Sequence, residues 1–165
     1  MRKHTVYVDQ SGKIENQSSH IGMAFSDESG KEFTNAIFID KKHKKRIKEA
    51  AKKELGNIRE YRVKLFAFGL FMLIQNDLHR LKEVRVDREY EGKLPQIKHH
   101  LFNFLNNNTS VPTNNFPVLI PCHVHNEIKK PECHDLAYRA REKELDSLLE
   151  SDYDFLKAMV LRSNK

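Results

Sequence analysis

The sequence predicts an α/β fold: a mixed five-stranded sheet of three antiparallel and two parallel strands, with helices on both faces. Two observations support this prediction. Three strand-like segments follow one another near the N-terminus with short polar links, and the later strand-like segments alternate with helical ones. Consecutive strands with tight links form an antiparallel meander, whereas strands separated by helices are joined by crossovers and run parallel.

Each element has its own local signal. Alternating apolar and polar residues bounded by turn formers predict the strands, which are 5–9, 20–26, 32–39, 83–88 and 116–124. The last strand contains Pro117 and Pro121, which favours an edge position because proline cannot donate to a sheet ladder. Helical spacing and caps predict the helices. The first is 42–55, and the second begins at Asn57 and contains the apolar run 65–74. The third is 94–105 and the fourth is 132–150, with a last turn or separate helix at 152–161.

Length and composition restrict the class of protein. The 165 residues are 39% hydrophobic, which fits a single domain spanning 1–165 with a real core. We expect no organic cofactor. Two cysteines are too few for a disulfide scaffold. The longest apolar run, 65–74, is too short to span a membrane, and no signal-peptide pattern follows the N-terminus. We therefore expect a cytoplasmic protein without a membrane partner.

The positive charge is concentrated in one segment. The chain carries a net charge of +6, whereas residues 41–64 contain eleven Lys or Arg against three Glu, so the remainder nets −2. Residues 41–56 are expected to form a basic helix that contacts a phosphate backbone through Lys41, Lys42, Lys44 and Lys45. The alternative is a solvated helix that only aids solubility.

Four acidic residues are candidates for a metal centre. Asp9 and Asp87 end the first and fourth predicted strands, which can be parallel neighbours. Two neighbouring carboxylates repel each other, which favours a bound cation between them, and their oxygen ligands suit Mg²⁺ or Mn²⁺. Glu60 and Asp135 lie in the first turns of two helices and are expected to join the cluster. Taken singly, each of the four also fits a turn, a helix cap or the helix dipole.

The order and spacing of these acidic residues resemble the ribonuclease HI-like nucleases. The similar segments are Tyr7-Val8-Asp9-Gln10-Ser11-Gly12, Asn57-Ile58-Arg59-Glu60, Val84-Arg85-Val86-Asp87 and Glu132-Cys133-His134-Asp135-Leu136-Ala137. His125 stands ten residues before Asp135, as a histidine does in that family. The resemblance covers about residues 5–145.

The resemblance implies a ribonuclease H-like fold and a metal-dependent endonuclease, most simply one that cuts the RNA strand of RNA–DNA hybrids. Asp9, Glu60, Asp87 and Asp135 would then hold two Mg²⁺ or Mn²⁺ ions as catalytic and metal-binding residues. His125 would deprotonate the attacking water or help product leave. Asn57 would contact the nucleic acid together with the four lysines. The chain departs from the family in a basic helical insertion at about 41–56, in lacking Trp and in placing Glu89 where many members have Gln.

Three alternatives remain open at this stage. The same fold could act on structured DNA, as junction resolvases do, or it could bind nucleic acid with an idle site. A zinc site is the third, since potential ligands lie close together in sequence: Cys122, His123, His125, Cys133 and His134. The spacing fits no zinc finger, and we expect both cysteines to be buried or inert thiols.

Overall fold

Six strands form one mixed sheet in the computed structural model, which describes residues 3–56, 58–90, 92–128, 131–146 and 148–161. The strands are β1 (His4–Ser11), β2 (Ile21–Asp27), β3 (Thr34–Ile39), β4 (Leu81–Asp87), β5 (Val118–Cys122) and β6 (Leu149–Glu150). Their order across the sheet is β5-β4-β1-β2-β3-β6. The β1–β2 and β2–β3 pairs are antiparallel, and the β1–β4, β4–β5 and β3–β6 pairs are parallel. The predicted α/β class and mixed sheet are confirmed.

Helices cover both faces of this sheet. They are α1 (Lys41–Glu54), α2 (Ile58–Ile74), α3 (Leu94–Asn108), α4 (Val124–Glu127), α5 (Glu132–Arg141) and α6 (Tyr153–Leu161). Val6 and Val8 of β1 join the core that contains α2, whereas Tyr7 packs with Cys133 of α5. Because successive side chains of a strand point to opposite faces, α2 and α5 lie on opposite sides of the sheet. Among the described residues, no helix combines the length and hydrophobicity needed to cross a bilayer.

Helix α5 approaches the sheet closely because small residues line the contact. Ala24 and Ala36 of the sheet form a buried cluster with Ala137 and Ala140 of the helix. A Cβ added at Gly22 would lie 2.0 Å from the carbonyl oxygen of Ala137. The position of α5, and of every side chain on it, therefore depends on Gly22 having no side chain.

The end of the chain differs from the prediction. The helix expected over 132–150 ends at Arg141, because Lys143 adopts a left-handed φ of 57° and the Glu144 amide donates to the Arg139 carbonyl at 2.8 Å. This arrangement terminates helices in many proteins. Residues 149–150 then form β6 beside β3, which gives the sheet six strands rather than five.

Two local predictions are confirmed. β5, with its Pro121, lies at the edge of the sheet, and Gly56 follows the end of α1 with a left-handed φ of 65°. The N-cap of α1 was not predicted: the Asp40 carboxylate accepts a hydrogen bond from the Lys42 amide at 2.8 Å. Since β3 runs parallel to β1, their carboxyl ends lie on the same side of the sheet. Helix α1, which follows β3, therefore begins on the side where β1 ends.

Candidate metal centre

Asp9 and Asp87 lie side by side at the carboxyl ends of two parallel strands. Val8 of β1 pairs with Val86 of β4, and each aspartate is the next residue along its strand. Both valines face the core beneath α2, so both carboxylates project towards the face that α5 covers. Asp9 is only 4% exposed, and Asp87 is half-buried. The predicted proximity of these two residues is confirmed.

Glu89 completes an acidic group with these two aspartates. One ligand oxygen from each of Asp9, Asp87 and Glu89 lies within 4.8 Å of the other two. A tight turn after β4 brings Glu89 there, because its amide donates to the Asp87 carbonyl at 2.8 Å. Partial burial, followed by the negative charges of Asp9 and Asp87, raises the pKa of Glu89. Three carboxylates this close repel one another and can be stabilised by a bound cation.

A second group places two histidines beside the same aspartate. Ligand atoms of Asp9, His125 and His134 also lie within 4.8 Å of one another. The Nδ1 of His134 donates to Oδ2 of Asp9 at 2.7 Å, and the rings of His125 and His134 are 4.9 Å apart. The Gln10 amide donates to the other Asp9 oxygen at 2.8 Å. Asp9 therefore belongs to both groups.

The short helix α4, which carries His125, is fastened to β4. The Val124 amide donates to Oδ1 of Asp87 at 3.2 Å. The Arg85 guanidinium donates to Oε2 of Glu127 at 2.8 Å, and that bond is the main cause of the raised pKa of Arg85. Val124 itself is fully buried. His125 is therefore held at the site by contacts on both sides of it.

Asp135 does not join the cluster, and this prediction is wrong. Its side chain is 61% exposed, and its Oδ2 lies 4.0 Å from Nη1 of Arg139. The reason is the rotation of α5, whose core face carries Cys133 and Ala137. At about 100° per residue, Asp135 lies about 200° from Cys133, whereas His134 lies on the flank that faces Asp9.

Glu60 is also elsewhere, which corrects a second predicted ligand. Its Oε1 lies 3.8 Å from Nζ of Lys64 and 3.6 Å from Nε2 of His100, a residue of α3. Its helix, α2, lies on the opposite face of the sheet from the Asp9 carboxylate. In the described part of the chain, Glu60 and Asp135 belong to neither group of potential metal ligands.

Both cysteines are buried thiols, as predicted. Cys122 and Cys133 are buried and unpaired, and burial raises the pKa of each thiol to about 12. A thiol with that pKa stays protonated near neutral pH and is a poor metal ligand. Neither sulfur belongs to a potential metal group among the described residues. The five-residue zinc cluster is therefore not assembled, although His125 and His134 do meet.

Lys44 is not available to nucleic acid, which corrects another predicted contact. It is 0% exposed, because it lies with Ile47 and Ala51 on the buried stripe of α1. Its ammonium donates to the carbonyls of Lys13 at 3.1 Å and Asn16 at 2.7 Å, and burial lowers its pKa to about 8. The other predicted contacts on this helix are exposed, namely Lys41, Lys42 and Lys45. Asn57 lies outside the described residues.

The role of Glu89 was not predicted, and His134 was considered only as one ligand of a five-residue zinc cluster, not as a partner of Asp9. Glu89 had a signal, since an acidic residue two positions after a strand-end aspartate can turn back towards it. His134 had a signal as well, because the core pattern of α5 turns Asp135 outward and leaves His134 beside the sheet edge.

Comparison of the chain with protein-family models, with curated protein sequences and with solved structures gave no match. The functional proposals therefore rest on the residues and geometry of this chain, together with the resemblance of its motifs.

Proposed function

We propose that the protein is a metal-dependent endonuclease of ribonuclease H-like fold that hydrolyses phosphodiester bonds, with the RNA strand of RNA–DNA hybrids as its substrate. The observation that carries the proposal is the convergence of Asp9, Asp87 and Glu89 at the ends of β1 and β4. Three antiparallel strands followed by two strands parallel to β1 also support it, because the resemblance implies that arrangement.

The donor set of the acidic group fits a hard divalent cation. All three side chains offer carboxylate oxygens, which Mg²⁺ and Mn²⁺ prefer over nitrogen or sulfur. Bound there, such ions would activate a water and stabilise the charge on the leaving oxygen of a phosphodiester. The protein's own contribution is positional. One oxygen of Asp9 accepts a hydrogen bond from the Gln10 amide, and one oxygen of Asp87 accepts a hydrogen bond from the Val124 amide, so backbone groups orient both carboxylates.

A cleft on the α2 side of the sheet offers cationic side chains to a nucleic-acid backbone. The cleft has a volume of about 570 Å³, and its charged lining consists of three cations and two carboxylates: Arg59, Arg62, Lys93, Glu15 and Glu60. Tyr90 lines both this cleft and an apolar cavity of about 230 Å³ that reaches Asp87. The carboxylates of Asp9 and Asp87 project from the opposite face of the sheet, so a phosphate backbone held in this cleft would pass the ends of β1 and β4 to reach them.

Helix α1 adds a second positive surface. Lys41, Lys42 and Lys45 are exposed, and their helix begins at the sheet edge where Asp9 lies. Lysine contacts of this kind bind the backbone of any duplex without reading its sequence. The preference for a hybrid therefore rests on the resemblance of the motifs, and the position of the cut rests on the acidic group.

A cleavage panel tests the proposal. Purified protein with Mg²⁺ or Mn²⁺ is incubated with an RNA–DNA hybrid, double-stranded RNA, double-stranded DNA and a four-way DNA junction. We expect cleavage of the hybrid and its loss in Asp87→Asn, whose amide oxygen can still accept the Val124 bond. Asp135→Asn is the matched control and should retain cleavage, because the exposed Asp135 carboxylate lies outside the acidic group. Cutting of the junction alone would assign the resolvase alternative, and binding without any cutting would assign an idle site.

A further inference from the structure

We propose that Asp9, His125 and His134 form a second metal site, selective for a divalent transition-metal ion such as Zn²⁺ or Co²⁺ over Mg²⁺. The site adjoins the acidic group and shares Asp9 with it. The inference deepens the proposed function, and it rests on that function only in treating the ion as part of a nuclease site. The ability to bind the ion follows from the three side chains themselves.

The donor set decides the class of metal. Two imidazole nitrogens and one carboxylate oxygen suit Zn²⁺ and its first-row neighbours, whereas Mg²⁺ takes oxygen ligands almost exclusively. Three protein ligands also leave a coordination position open, which is the arrangement of catalytic rather than structural zinc sites. The all-carboxylate group of Asp9, Asp87 and Glu89 has the opposite preference. The two adjoining groups therefore favour different ions.

The three ligands are already in place. Nδ1 of His134 and Oδ2 of Asp9 lie 2.7 Å apart, and the His125 ring lies 4.9 Å from that of His134. A bound metal ion would replace the proton that His134 donates to Asp9, and that proton would be released to solvent. Each histidine stands on an anchored element: His125 on α4, fixed by the Arg85–Glu127 bond, and His134 on α5, which packs closely over the sheet. Anchoring of this kind reduces the ordering that metal binding would otherwise require.

The site also gives His125 a different role from the predicted one. A ring nitrogen whose lone pair binds a metal cannot accept the proton of an attacking water, so His125 serves as a ligand here. Cys133, although adjacent to His134, takes no part because its thiol is fully buried in the core beneath α5. The expected complex therefore contains nitrogen and oxygen ligands and no sulfur.

Metal titration without nucleic acid tests the inference. Metal-free full-length protein is titrated with Zn²⁺ by calorimetry, in the absence and presence of excess Mg²⁺, and its Co²⁺ complex is examined by visible absorption. We expect a single Zn²⁺ ion that Mg²⁺ does not displace, and Co²⁺ bands without a thiolate charge-transfer band. His125→Ala and His134→Ala should each weaken Zn²⁺ binding by about 100-fold or more, since even an outer-shell partner contributes about 10- to 100-fold.

Two control variants sharpen the result. His79→Ala removes an exposed histidine at the other end of β4, and it should bind Zn²⁺ as the wild type does. Asp135→Asn should likewise keep its Zn²⁺ affinity, because the exposed Asp135 carboxylate belongs to neither group of potential ligands although it is the next residue after His134. Both candidate histidines are exposed, so circular dichroism should show folded proteins after their replacement.

The outcomes separate this inference from the proposed nuclease activity. Failure of the folded protein to bind Zn²⁺, or equal Zn²⁺ affinity in the wild type and both histidine variants, would overturn the second site. Neither result would affect cleavage supported by Mg²⁺. Conversely, histidine-dependent Zn²⁺ binding in a protein that cuts no nucleic acid would uphold the site and refute the nuclease.

Discussion

Acidification should destabilise the protein, and we expect His100 to be a main cause. This residue lies between α2 and α3, is 4% exposed, and its ring is stacked 6.5 Å from that of Phe104. Burial, followed by the positive charge of Lys64, lowers the pKa of His100 to about 4, although the Glu60 carboxylate acts in the opposite direction. Adding a proton therefore costs more in the folded protein than in the unfolded chain.

The size of the effect follows from the two pKa values. An unfolded histidine titrates near about 6.5, whereas His100 in the folded protein titrates at about 4. At about 1.4 kcal/mol per pKa unit, the difference amounts to about 3 kcal/mol of unfolding free energy. Because the folded pKa is the lower one, this stability is fully present above about pH 6.5 and is lost as the pH falls towards about 4.

Urea denaturation of the wild type and His100→Gln, at several pH values between about 7.5 and about 4.5, measures the effect. The difference in unfolding free energy should shift by about 2–3 kcal/mol in favour of the variant as the pH falls. His79→Gln, an exposed control, should follow the wild type. If the wild type and His100→Gln lose stability in parallel, then His100 is not a buried neutral histidine, and the packing that holds Glu60 against α3 is wrong.

Two further predictions concern the basic helix and the packing of α5. Lys45→Gln should lower the slope of log K against log salt for duplex binding by about 0.9, the value for one phosphate contact. Lys44→Met should leave the slope unchanged because Lys44 is fully buried, and equal changes in both variants would contradict this assignment. Gly22→Ala should reduce the unfolding free energy by roughly 1–3 kcal/mol, because the new Cβ meets the Ala137 carbonyl. An unchanged denaturation midpoint would refute the close contact of α5 with the sheet.

The strand-borne half of the candidate site could be predicted from the sequence. Asp9 and Asp87 each follow a short alternating segment, and their proximity needs only that the two strands be parallel neighbours. Strand geometry leaves just two directions for a side chain, so the residue after a core valine has a defined face. The edge position of β5 was predictable for a different reason, because Pro121 has no N–H group to donate to a neighbouring strand.

The helix-borne half was misassigned because a helix offers many directions. One residue of rotation separates His134, which bonds to Asp9, from Asp135, which faces solvent. The positions of Ile47 and Ala51 placed Lys44 on a buried stripe, but its charge suggested the opposite. α2 is apolar nearly all round, so its sequence gives no indication of the direction in which Glu60 points. That direction is set by Lys64 and His100, the second of which comes from a distant part of the chain.

Anomalous diffraction from Mn²⁺-soaked crystals would show whether Asp9, Asp87 and Glu89 bind a divalent cation. We expect an anomalous peak about 2.0–2.6 Å from carboxylate oxygens of Asp9 and Asp87, and its loss in crystals of Asp87→Asn. No such peak is expected at Glu60 or Asp135, which lie away from this group. An empty acidic group under these conditions, or a Mn²⁺ ion held by Glu60 and Asp135, would refute the proposed metal centre.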